Sequence, residues 1–150
     1  MLLFAACFFV VATAHAAVMV RKASELDSDD YVQWATSRYR IMSSAYVIYD
    51  QCSKTLPTLS DDAPYVKEQL VNAEVKLREA YHNAYVKRVG YPPDMPMVQD
   101  YVTRIRKAQQ VAVNNTALAI RKDGCYDFSV KNIIDFVTKL RHPAPTTEEE

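Results

Sequence analysis

The sequence predicts an all-α fold: an up-down-up bundle of three long helices plus a shorter C-terminal helix, closed by one disulfide. Three observations carry that prediction. Apolar residues recur at steps of three and four along most of the chain, and no stretch alternates as a strand would. The 150 residues include only two glycines, Gly90 and Gly124, and both stand where a helical pattern stops, the position at which a left-handed C-cap favours a residue without a side chain. The prolines gather at the boundaries between periodic segments, where they break or restart a helix.

The chain opens on residues 1–16, an uncharged run from Leu2 to Ala12 followed by Ala14-His15-Ala16. A short apolar segment ending in a small-x-small site predicts a secretory signal peptide cleaved after Ala16. The run is shorter than the roughly 18 to 20 apolar residues that a spanning helix needs, so the expectation is a secreted, extracellular chain without a membrane anchor, and Cys7 leaves with the signal. Residues 17–142 then make one helical domain, long enough to bury its own core. All charged residues fall after the signal, and their balance of 18 basic to 18 acidic argues against nucleic acid as a partner, because phosphate binding needs a basic surplus.

Residues 17–26 read as a poorly ordered leader. The first helix opens on one of Asp27, Ser28, Asp29 or Asp30, each able to cap free N–H groups and to complement the helix dipole. Its apolar stripe is Tyr31, Trp34, Ile41, Met42, Ala45, Ile48, Tyr49 and Cys52, with Gln33, Ser37, Arg40, Ser44 and Gln51 opposite. Leu56-Pro57 ends it and Ser60 to Pro64 restarts the chain. The second helix places Val66, Leu70, Ala73, Leu77, Ala80, Tyr81 and Ala84 on one face, and a thinner row, Val71, Val75, Val86 and Val89, on another. After Gly90 a proline-loaded turn leads into a third helix over about 96–122, with Val98, Tyr101, Val102, Ile105, Ala108, Ala112 and Ala119 inward. A fourth helix starts at Asp127 or Ser129 and puts Val130, Ile133, Ile134, Val137 and Leu140 on one side. Residues 143–150 have the composition of a disordered acidic tail.

Removing the signal leaves two cysteines, Cys52 and Cys125, in an oxidising compartment, which makes a disulfide the expected state. The topology agrees. Short connections make the first three helices antiparallel neighbours, so the ends of the first and third reach the same end of the bundle.

Little in the chain points to catalysis. Phosphate-cradling glycine loops and a Gly-x-Ser-x-Gly elbow are both missing. No metal site is expected either, since the mature chain holds only His82 and His142 as imidazole ligands, and the single Glu79-x-x-His82 step lacks the second copy and the inward glutamates of a di-iron bundle. The expectation is therefore a non-enzyme without a cofactor.

Candidate binding residues are of three kinds. Arg38 and Gln109 interrupt the apolar stripes of the first and third helices at nearly equal distances from the two cysteines. They are expected to meet, either as a polar layer that sets register or, with Tyr81 nearby, as the polar end of a ligand cavity. The prolines of the turn after Gly90 stiffen the display of Tyr91 and Met95, as a partner contact or as a lid on the bundle end. Asn114-Asn115-Thr116 is an N-glycosylation acceptor, with Asn114 on the polar face of the third helix. Two functions follow. The leading one is a secreted, non-enzymatic protein-interaction effector or ligand with an extracellular protein partner. The other is an extracellular carrier of a small hydrophobic ligand, which requires an enclosed apolar cavity rather than an exposed apolar patch.

Overall fold

Three long helices and a shorter fourth build the computed structural model, which describes residues 19–143. The expected signal peptide, and the tail from residue 144 onward, lie outside the described residues. The helices are α1 (Asp30–Cys52), α2 (Ala63–Val89), α3 (Met95–Asp123) and α4 (Phe128–Arg141), with 3-10 turns at Ala23–Leu26 and Pro57–Asp62. Their boundaries follow the capping residues. The Asp29 carboxylate accepts from the N–H groups of Tyr31 and Val32, Asp94 from Met97, and Asp127 from Ser129 and Val130. Gly90 and Gly124 close α2 and α3 with φ of 85° and 78°, a region that an L side chain rarely enters.

The helix α1 is central, packing on α2, α3 and α4, while α2 and α3 touch each other sparingly. Cys52 and Cys125 are bonded with their Cα atoms 5.7 Å apart, which pins the end of α1 to the second residue past α3. From there α4 crosses α1 towards the start of α2, where Arg141 donates to the Asp61 carbonyl at 3.1 Å and pairs with Asp62. The predicted core faces of α2 and α3 are realised: Val66, Ala73, Leu77, Ala80, Tyr81 and Ala84 are buried on the one, and Tyr101, Ile105, Ala108 and Ala112 on the other.

Two expectations are corrected. The supposed leader is part of the core from residue 20 onward: Val20, Ala23 and Leu26 are buried, and the strap is tied down by polar contacts at both of its neighbours. The Ala23 N–H donates to Asp100 Oδ2 on α3 at 2.7 Å, and Arg88 of α2 donates to the Glu25 carbonyl at 2.6 Å and to Ser28 Oγ at 3.2 Å. The charged and polar composition of this segment hid three apolar anchors spaced by three residues.

The second correction concerns α1 itself. Residues 31, 34, 38, 41, 45, 48 and 52 step along one side of the helix. Towards the disulfide Ala45, Ile48 and Cys52 are fully buried, yet Tyr31 and Trp34 at the other end are 46% and 50% exposed. In that half the core is made one seam over, by Val32, Ala35, Tyr39 and Met42. The reason is the length of α4. With 14 residues it spans about 21 Å, shorter than the 23-residue α1, and the stripe is buried only in its disulfide half. Ser44, expected on a solvent face, is buried, while Tyr46, Asp50 and Gln51 of the same half are exposed.

Candidate functional site

The end of the bundle away from the disulfide is held by a polar cluster that joins three segments, the strap, α2 and α3. Asp27, at the close of the strap, accepts from the Tyr81 hydroxyl of α2 at 2.8 Å and from Arg104 Nε of α3 at 3.3 Å, and it is ion-paired with Arg104 through Nη2. Tyr81 stacks on Tyr101, ring centroids 5.7 Å apart. Burial, together with the hydrogen bond to Asp27, pushes the Tyr81 hydroxyl up to about 12. A hydroxyl so disposed holds its proton and serves as a hydrogen-bond donor. Asp29 extends the network with an ion pair to Lys87 at 3.9 Å.

Beside this cluster runs a groove of about 430 Å³ between α1 and α3. Its lining includes Asp27, Tyr81 and Arg104 of the cluster, the buried Val32 and Ala108, the polar Gln33, Thr36 and Ser37, and the exposed Arg40 and Lys107. A second groove, of about 560 Å³, lies at the other end between α1 and the start of α2, with Tyr46, Tyr49 and Lys67 in its lining. The Tyr49 hydroxyl is buried without a hydrogen-bond partner among the described residues, and burial raises its pKa. Both spaces are open clefts along the bundle surface.

Of the residues predicted for binding, Tyr81 lies in a site. Arg38 and Gln109 are not brought together: the Arg38 guanidinium sits 5.1 Å from the centroid of the Phe136 ring on α4, at the edge where α4's cover of α1 ends. Equal height along two helices was legible from the numbering, but the side of α1 on which Arg38 stands faces α4, and Gln109 is half-buried elsewhere on α3. Tyr91 and Met95 are exposed at the turn, with Tyr91 edge-on to Tyr85 at 6.2 Å between centroids. Asn114 is exposed on α3, whereas Thr116 of the same tripeptide is buried. Val111 and Leu118 on that outer face stay uncovered, because α4 lies over α1 instead.

The residues that sequence reasoning missed are Asp27, Arg104, Arg40 and Lys107. Asp27 was legible only as a helix cap, and Tyr81 and Arg104 lie 54 and 77 positions from it, so nothing local joins the three. Arg40 reads as one more charge on a polar face. Among the described residues no group of three or more His, Cys, Asp and Glu side chains could hold a metal ion, and no helix is long and apolar enough to cross a membrane. The chain matches no protein-family profile, no curated protein and no solved structure, so the geometry alone bears on function.

Proposed function

We propose that this is a secreted, non-enzymatic interaction protein that engages an extracellular protein partner through the uncovered half of the α1 stripe. The observation that carries the reading is the stacked pair Tyr31 and Trp34, with centroids 5.5 Å apart and planes 13° from parallel, held half-exposed on a stripe that is buried at the helix's other end. Two large aromatic rings already fixed against each other lose little conformational freedom on binding, and such residues supply much of the energy of protein contacts. Arg38 at the end of the pair adds a side chain of the kind enriched in such contacts. A disulfide between Cys52 and Cys125 fits an oxidising compartment and supports export.

The carrier reading requires an enclosed apolar cavity. The clefts described are open, and Arg38 lines neither of them, lying instead over Phe136.

The test is a paired capture from the extracellular fluid of the source, using the full secreted chain, a Tyr31→Ala/Trp34→Ala variant and a Val71→Ser control on the exposed face of α2. A protein partner that cross-links to wild type and control but not to the aromatic variant is the expected result. Equal cross-linking of all three would show this reading to be wrong.

A further inference from the structure

We propose that the groove between α1 and α3 binds a small organic anion: a carboxylate, sulfate or phosphate group carried on an apolar body. The inference is independent of the Tyr31–Trp34 face, which stands on another side of α1.

Charge is the first ground. The whole chain is balanced at 18 basic and 18 acidic residues, yet this groove is lined by Arg40, Arg104 and Lys107 against the single carboxylate of Asp27. That carboxylate is already matched by Arg104 and by the Tyr81 hydroxyl. Arg40 and Lys107 form no ion pair among the described residues. Two positive charges therefore face one cleft without a local counter-charge, on adjacent helices that hold them apart.

Pre-organisation is the second. Arg104 receives its orientation from Asp27, so its guanidinium is set before any ligand arrives, and the side chains with freedom left to close on an anion are Arg40 and Lys107. Guanidinium and ammonium groups both suit carboxylate and phosphate oxygens, the former as a planar fork and the latter as a point charge.

Shape decides the rest of the ligand. A volume of about 430 Å³ falls in the range of small-molecule clefts and exceeds what a bare inorganic ion fills. Beside the cations and the polar Gln33, Thr36 and Ser37, the lining includes Val32, Ala108, Val111 and Tyr81, apolar surface that rewards a hydrocarbon or aromatic body by removing it from water. Because one side of the cleft is open, the attraction stays exposed to screening and weakens with salt.

The experiment titrates anilinonaphthalenesulfonate, an aromatic body bearing one sulfonate, into the full chain with its disulfide intact, and follows the probe's fluorescence. Saturable binding at one site per chain is expected. Arg40→Gln/Lys107→Gln, two exposed positions whose folding is checked by circular dichroism, is expected to bind at least about tenfold more weakly, as is neutral N-phenylnaphthylamine on the wild type. Tyr31→Ala/Trp34→Ala should leave the affinity unchanged. The proposal is overturned if the charge variant binds as tightly as wild type, if the neutral analogue binds as tightly as the sulfonate, or if the aromatic variant is the one that loses the probe.

Discussion

The two halves of α1 carry one apolar stripe and put it to opposite uses. Near Cys52 the stripe is core, enclosed by α2, α3 and α4, and Ala45, Ile48 and Cys52 have no exposed surface. Near Asp30 the same stripe is surface, and the helix is held instead by the seam of Val32, Ala35 and Tyr39 and by the polar contacts of Asp27, Tyr81 and Arg104. A hydrophobic pattern thus states which residues share a side of a helix. Whether that side is covered depends on how far the neighbouring element reaches, and a 14-residue α4 reaches half-way.

The difference can be broken most severely at the staple. Cys52→Ala/Cys125→Ala opens a loop whose ends are 73 residues apart, and in the chain-entropy account the loss is about 4 kcal/mol, measurable as a lower urea midpoint. Hydrogen exchange on the same variant should loosen α4 and the disulfide half of α1 first, with the Asp27 end retaining more of its protection; uniform loosening would mean that the halves are not separate units of stability.

A smaller effect sharpens the contrast within the stripe. Ile48→Ala should cost about 3 kcal/mol, because it leaves a hole in an enclosed core, whereas Trp34→Ala, which removes the larger side chain, should cost under about 1 kcal/mol. Urea unfolding of the two variants side by side checks this, and a comparable loss at Trp34 would place that ring in a packed environment it does not have here. As the only tryptophan of the chain, Trp34 should also emit as a solvated indole and be quenched by iodide in the native state.

The mildest change tests what holds the other half. Tyr81→Phe removes one hydroxyl from a half-buried network and should cost about 1 kcal/mol. Its signature is in the pH dependence. Burial, reinforced by Asp27 for Tyr81 and by Glu74 for Tyr39, raises both hydroxyls from 10.0 to about 12. The folded chain therefore favours their protonated forms. Their contribution to stability is fully present below pH 10 and is lost as pH rises from 10 through 12. Tyrosinate absorbance should show these two as the latest to titrate in the folded protein, and Tyr81→Phe should remove one late group and flatten the alkaline loss of stability.

Most of the fold was legible before the coordinates. Asp29 and Asp127, among the residues offered as caps, start α1 and α4, Gly90 and Gly124 close α2 and α3, and Cys52 pairs with Cys125, each for a reason local to a helix end or to helix direction; the Asp94 cap of α3 was not read. The candidate sites were much less so. Tyr31 and Trp34 read as core because their spacing is that of core residues, and Arg38 was set against Gln109 because height along a helix can be counted whereas facing cannot. Residues 20–26 read as a leader because three anchors among polar neighbours give too weak a period to register.

Helix count, helix ends, the disulfide and the direction of each long helix came from periodicity, punctuation and connection length, all of which act within or between adjacent segments. The path of α4 across α1, the docking of the strap and the meeting of Asp27 with Tyr81 and Arg104 came only with the packed chain. Each depends on contacts between residues 50 or more positions apart, settled by which faces could be buried together, and no stretch of sequence holds that information by itself. The exposed aromatic pair and the basic groove are both by-products of that packing, one left where α4 does not cover α1 and the other as a cleft between α1 and α3 beside the Asp27–Tyr81–Arg104 cluster.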